Sequence, residues 1–594
     1  MKNSFLALVF SILISVSCFA QKTDNPEITI DELKQHISYL ASDELEGRKP
    51  GTQGIEKAAN YLKSQISKLN VKPLGDNFFQ YLDVITDVKA GDQNKLSFND
   101  FNAIINDDFT PLSMSDSKQV KASAVFVGFG FEINEENLKW NDYENVDVNG
   151  QWVIILRDAP NYSGNEVLDK YKSLRKKILT ARDKGAAGII LVNGRDFDLE
   201  DNLISLSSSG RESNVGLPVV NVKRKVINKL LENYEFTVEQ LEEAIKQNKS
   251  PKSFEIDIVI DAQVDLKIIN SKTKNVVALL EGSDPVLKNE YIIIGAHYDH
   301  LGYGGKNSGS RMPDTIAIHN GADDNASGTA ANLEVFEKLA ANRKDIKRSI
   351  IYVAFTAEEM GLIGSKYFSN NPLVDLSKIK FMFNFDMVGR LNPDTKSISI
   401  GGTGTAEGLE DLIKSHTENS GLSVKFNSEG YGPSDHASFY AKDIPVMFLF
   451  TGIHEDYHTP KDDADLINYE GEKLIADLTY DMIVDIANRS EALKYKEAGP
   501  KEQRSASSRM RVSLGIMPDV ASSDIKGVRA DAVIEGKPAS KAGMRKGDII
   551  TAIDGKPVND IYDYMNRLSG FKPGDKISVE ILRDKEKVLL QCEL

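Results

Sequence analysis

Tyr291-Ile-Ile-Ile-Gly-Ala-His-Tyr-Asp299 reads as a strand that ends on two polar side chains. Its apolar part shows no alternation, which suits a strand covered on both faces of a sheet. Ser349-Ile-Ile-Tyr-Val-Ala-Phe355 and Ile379-Lys-Phe-Met-Phe-Asn-Phe385 have the same texture. Helical periodicity over Ala326–Ala341 and Gly471–Arg489 supplies the layers between them. The expected fold is therefore α/β, a mixed and mostly parallel sheet with helices on both faces.

Metal-competent residues recur around these strands. His297 and Asp299 close the first, Glu358 and Glu359 the second, and Asp386 the third. Asp324 stands in Gly321-Ala-Asp-Asp-Asn-Ala-Ser-Gly328 just before a helix, and His458 in Asp456-Tyr-His-Thr-Pro460. Ligands collect at the carboxyl ends of strands in open α/β sheets. A two-metal hydrolase needs a bridging carboxylate and about two further ligands for each ion, and two histidines with three carboxylates satisfy that count. Asp299, two residues after His297, is expected to accept the spare ring N–H of that histidine. Adjacent strand side chains diverge, so one of the Glu358–Glu359 pair can bind metal while the other serves as general base.

Each motif alone has an ordinary structural reading. A His-x-Asp is usually a surface loop, a Glu pair a solvated helix start, and Asp-Asp-Asn an N-cap cluster. Their combination, beside buried strands in one segment, favours the metal site. Of the other histidines, His36, His416 and His454 read as surface or packing residues, whereas His300 and His319 lie in or beside a Gly-rich loop bordering the site.

With 72 Lys+Arg against 88 Asp+Glu, the net charge of −16 disfavours a general nucleic-acid binder. The 594 residues suggest roughly four domains. At the N-terminus, Lys2, an apolar run from Phe5 to Ile14 and Cys18-Phe-Ala20 read as a signal peptide cleaved near Ala20. The expected location is thus periplasmic or secreted. Lipid attachment at Cys18 is the alternative, weakened by Ser15 where a lipoprotein signal has Leu. No later run reaches the ~18 apolar residues of a transmembrane segment. Cys592, alone after cleavage, reads as structural.

Between about 122 and 260 the texture changes to short β runs with a βαβ crossover through Ser173–Lys184 and Gly185–Val192. A polar linker at 496–508 precedes a compact β-rich unit at 509–594. The expected organisation is a signal peptide at 1–20, a discontinuous core at 21–121 and 261–495, an insert at 122–260, the linker, and the C-terminal unit.

Gly295-Ala-His-Tyr-Asp-His300, Gly321–Gly328, Thr356-Ala-Glu-Glu-Met-Gly361, Asn384-Phe-Asp-Met-Val388 and Tyr457-His-Thr-Pro460, with Ala41–Gly51 upstream, together resemble the zinc exopeptidases of the bacterial aminopeptidase and glutamate carboxypeptidase II type. That resemblance implies two zinc ions per chain, Asp324 bridging them. His297 and Asp386 complete one site, Glu359 and His458 the other. It further implies Glu358 as general base, Asp299 as support to a ligand, Tyr457 as a candidate oxyanion donor, and a cis peptide at Asp324–Asn325. Gly432-Pro-Ser-Asp-His436 resembles a pocket loop of the family. The insert is similar to a protease-associated domain through Asp147–Leu156 and Gly185–Asn193. The C-terminal unit resembles a PDZ domain, with Ser513, Leu514, Gly515 and Ile516 as its carboxylate-binding loop for a C-terminal peptide ligand.

The expected activity is removal of N-terminal residues from peptide substrates by metal-activated water. A carboxypeptidase or a non-peptide amidase on the same core is the alternative, and a cyclase relative would hold one zinc. A metal-free receptor-like protein, or a peptide binder acting through the PDZ-like unit, is the non-enzymatic reading.

Overall fold

The computed structural model describes residues 27–594 except 136–137, 163–167, 169–170, 207–213, 235, 307, 500, 502–511, 519–526, 534–535, 559–563, 565–566, 569–570 and 572–573. The expected signal peptide and most of the expected linker lie outside the described residues.

The three apolar runs form the centre of a nine-stranded mixed sheet. Tyr291–His297 pairs in parallel with Ser349–Phe355 on one side and Ile379–Phe385 on the other, and Val446–Phe450 continues the parallel set. Antiparallel strands flank it, among them Leu266–Leu280 and Ser397–Gly401. Parallel pairing is thus concentrated where the chain is apolar on both faces.

Helices Ile30–Leu40, Gly328–Ala341 and Tyr469–Asn488 share one core with the sheet. Ile30–Leu40 begins where the Thr29 side chain accepts the Glu32 N–H, and it turns Leu33, Ile37 and Leu40 inward at helical spacing.

The insert is wider than its sequence texture suggests. Its eight-stranded sheet also takes in Lys95–Phe98, Phe101–Asn102, Phe109–Pro111 and Gln119–Val127, and it ends with Ser253–Gln263. The expected boundary at 122 falls inside a strand, and residues 95–121 belong with the insert. Three of the early strands are only two to four residues long, and Lys95–Phe98 acquires its place by pairing with Ile260–Gln263 across the sequence. A long antiparallel pairing of Phe79–Ala90 with Leu266–Leu280 carries the chain between the nine-stranded sheet and the insert.

The C-terminal unit is a six-stranded sheet with its own core, in which Leu514 and Cys592 are buried. Gly515, at φ +73°, has the Lys537 side chain where a Cβ would stand, so the loop needs glycine there. Ile516 begins the strand that pairs with Val528–Val533.

Candidate metal centre

Register explains why distant residues meet. His297 is the last residue of its strand and lies opposite Phe355; Gly295 lies opposite Asn384. The chain leaving each neighbouring strand therefore delivers Glu358, Glu359 and Asp386 to the same edge. Asp324 comes from the wound segment Ala322–Ser327 that feeds the helix Gly328–Ala341.

That segment is tied down on every side. The Asn325 side chain donates to Phe385 O at 2.9 Å and accepts the N–H groups of Gly328 and Met387. The peptide between Asp324 and Asn325 is cis, as the resemblance implied. The Asp462 carboxylate accepts the N–H of Asp323 and of Asp324 at 3.0 Å. Asp323 turns away, taking the Gly389 N–H at 2.7 Å and the Ser327 hydroxyl at 3.0 Å.

The five residues read as ligands converge. Nε2 of His297 lies 3.3 Å from Asp324 Oδ1 and 3.4 Å from Asp386 Oδ1. Nε2 of His458 lies 3.0 Å from Asp324 Oδ2 and 3.2 Å from Glu359 Oε2. Asp324 thus presents one oxygen to each half of the site. Glu358 stands beside them, 3.9 Å from His297 Nε2.

The supporting contacts differ from expectation in one respect. Nδ1 of His297 donates to the main-chain oxygen of Asp299 at 3.2 Å, and the carboxylate is 3.8 Å away. Asp299 Oδ1 instead accepts the Glu358 N–H at 3.0 Å. The backbone turn after the strand brings the carbonyl nearer the ring than the side chain. Asp299 therefore orients His297 through its backbone and Glu358 through its carboxylate. On the other side, Nδ1 of His458 donates to Gly309 O at 3.1 Å. Each histidine consequently keeps Nε2 for the centre.

Tyr457 stacks on His458, ring centroids 3.9 Å apart. Burial, then the charges of Asp324 and Glu359, push its phenol well above its ordinary range, so it stays protonated as a donor. Burial also raises Glu358 well above a usual carboxylate; Glu359, Asp435 and Asp386 add to this against the opposing pull of His297. Burial acts likewise on Glu359, but His458 and a hydrogen bond from His300 outweigh it and hold that group at about 2.

The donor set fits divalent cations. Asp299, Asp324, Glu358, Asp386 and Asp435 are buried together, with Glu359 beside them. Burying so many carboxylates is costly without cationic partners, and Asp299 Oδ2 has no hydrogen-bond partner among the described residues. Two groups of donor atoms within 4.8 Å of one another share Asp324: one adds His297 and Asp386, the other His300 and Glu359. Mixed imidazole and carboxylate donors suit zinc.

Some of the site escaped the sequence reading. Nδ1 of His300 hydrogen-bonds Glu359 Oε1 at 2.8 Å, so that residue is part of the centre and not merely its border. His454, read as surface or packing, points Nε2 to 3.2 Å from Asp323 Oδ2. His36 does pack, between Tyr61 and Glu334, and His416 lies toward the surface beside Asp485. Within 432–436, Ser434 accepts from Asn384 at 2.7 Å, burial raises Asp435 to about 7, and His436 stacks on Phe448. Arg48, inside the quoted Ala41–Gly51 motif, is buried beneath the centre. Asp462, four residues after His458, is the other signal left unread.

Three segments of the chain resemble known protein families. The model of peptidase family M28 matches residues 275–483, that of the PA domain 120–230, and that of the PDZ domain 512–594. Leupeptin-inactivating enzyme 1 of Streptomyces exfoliatus is 34% identical over 181 residues, 30% of this chain and 36% of that protein. Aminopeptidase YwaD of Bacillus subtilis strain 168 is 24% identical over 313 residues, 51% of this chain and 58% of that protein. The chain thus spans less than two thirds of the length of these relatives. Among solved structures, an aminopeptidase from Aneurinibacillus sp. strain AM-1 is 21% identical, with a TM-score of 0.47 over 80% of this chain and 97% of that one.

Proposed function

We infer an exported dinuclear zinc aminopeptidase, because residues 275–483 match the model of peptidase family M28 in a chain that also carries a PA domain and a PDZ domain. One observation carries the reading: Asp324 presents an oxygen to His297 and the other to His458, with Glu358 at the edge of the same cluster. Curated relatives named as aminopeptidases support the substrate class, peptides with a free amino terminus.

Asp324 would bridge two zinc ions, with His297 and Asp386 holding one and Glu359 and His458 the other. Zinc held there would supply Lewis acidity toward the scissile carbonyl and toward an attacking water. Glu358 takes the proton of the attacking water and returns it to the leaving amine. Standing at the edge of the cluster, 3.9 Å from His297 Nε2, its carboxylate is placed to accept that proton and pass it on. The Tyr457 hydroxyl donates to the oxygen that gains charge. Asp299 fixes the main chain of Glu358 and, through its carbonyl, the tautomer of His297.

Export rests on the N-terminal apolar run, and no described helix is long and apolar enough to cross a membrane. The loop Ser513–Ile516 is the proposed seat of a C-terminal peptide ligand.

The test joins metal analysis to a substrate panel. The loaded chain should hold two zinc ions and cleave amino-terminal leucyl substrates but not their N-acetylated forms. Glu358→Gln should keep both ions and lose about 10²–10⁴ in kcat. Full activity in that variant overturns the assignment of the base.

A further inference from the structure

Charge around the centre is overwhelmingly negative, and its cations are mostly committed. Arg48 gives its N–H groups to main-chain carbonyls, and Arg390 pairs with Asp456 at 2.9 Å. Arg311 is different. Among the described residues its guanidinium has no carboxylate partner and lies only over the ring of Tyr457, 4.8 Å from the centroid.

Its position is built. The Arg311 N–H donates to His458 O at 2.9 Å, and Gly309, two residues earlier, accepts from the ring of the same histidine. The Ser310 hydroxyl accepts the Met312 N–H at 3.0 Å and meets His319 Nε2 at 2.8 Å. The backbone is thus pinned to the residue that faces Asp324 and Glu359, while the side chain stays exposed.

We propose that Arg311 receives a carboxylate of the substrate, on the residue that follows the scissile bond. The proposal rests on the peptidase reading and names the substrate class of that site. Tyr457 is the donor assigned to the scissile carbonyl, and the guanidinium lies 4.8 Å from its ring. One to two extended residues, at about 3.3–3.6 Å each, cover such a distance. A planar fork of N–H donors suits a carboxylate, and no other group on the protein competes for it among the described residues. Two sources share this chemistry, the free C-terminus of a dipeptide and an acidic side chain in the second position.

The experiment uses the zinc-loaded full chain and its Arg311→Gln and Arg311→Lys variants. Leu-Gly is compared with Leu-Gly-amide, Leu-Asp-amide with Leu-Asn-amide, and leucine p-nitroanilide serves as the uncharged reference. Wild type should favour one or both anionic members by about tenfold or more in kcat/KM, mainly through KM. Arg311→Gln should abolish that preference and leave the anilide within about twofold, and Arg311→Lys should keep part of it. The first pair reports the terminal carboxylate, the second the side chain. Equal loss on all substrates, or no preference in wild type, overturns the proposal while leaving the peptidase reading intact. A parallel titration with the uncleavable reduced-bond analogue of Leu-Gly and its amide reads binding without turnover. Carboxylate-dependent binding that requires Arg311, with none of the panel cleaved, retains the anion site and overturns the peptidase reading.

Discussion

Nε of Arg48 donates to the main-chain oxygen of Tyr298 across 2.8 Å, beneath the turn that carries His297 and Asp299. The same guanidinium reaches Leu40 O, Asn320 O at 2.6 Å and Gly321 O at 2.9 Å. It therefore joins the N-terminal helix, the strand end bearing His297 and the segment leading to Asp324. Burial lowers its pKa to about 10, against the raising influence of Asp324 and Asp299, and it stays charged at neutral pH.

Arg48→Met should leave those carbonyls without donors in a buried place, a loss of about 2–4 kcal/mol. Both tryptophans, Trp140 and Trp152, lie in the insert sheet or beside it. Intrinsic tryptophan fluorescence thus reports the wrong unit, and calorimetry is the suitable measurement. A purely structural arginine would lower the unfolding temperature alone. A positioning arginine should also weaken zinc binding by about tenfold, since support groups of this kind tune their ligands. Unchanged zinc affinity in a folded Arg48→Met chain would count against the positioning role.

Tyr457 makes a sharper kinetic prediction. Its ring packs on His458 and under Arg311, so Tyr457→Phe preserves the stack and removes only the hydroxyl. If that hydroxyl donates to the developing oxyanion, kcat should fall about 10²–10³-fold with KM nearly unchanged. Steady-state kinetics on leucine p-nitroanilide checks this. A Phe variant with wild-type kcat reduces Tyr457 to a packing residue.

The centre of the catalytic sheet was legible because its strands are apolar on both faces and end on charged residues. His297, Glu358, Glu359 and Asp386 follow from that pattern, since parallel strands in register place consecutive ends side by side. Arg48 was not legible in its role. It acts on main-chain carbonyls as far away as residues 298 to 321, and no side-chain pattern encodes such partners. His300 was placed only beside the site for a similar reason: its partner Glu359 lies 59 residues away on a neighbouring strand end. The boundary of the insert failed where very short strands gain their identity only by pairing across the sequence, as Lys95–Phe98 does.

The helix Gly328–Ala341 offers a prediction about pH. Burial, then the nearby Glu334 and Glu32, raise the Glu337 carboxyl to about 7. An unfolded glutamate titrates near ~4.3. The folded state therefore binds the proton more tightly, and that contribution to stability is fully present below about 4.3. It is lost as the pH rises through about 7, because the carboxylate must then be held charged beside two other acids. Glu337→Gln removes the titration and should match wild type near pH 4. At pH 8 it should be the more stable protein, by about 1–2 kcal/mol once solvent screening of this half-buried group is allowed for. Calorimetric scans of both chains at a series of pH values between 4 and 8 measure the difference directly. Equal pH slopes for the two chains would show that Glu337 titrates normally, and would remove the electrostatic strain assigned to this helix.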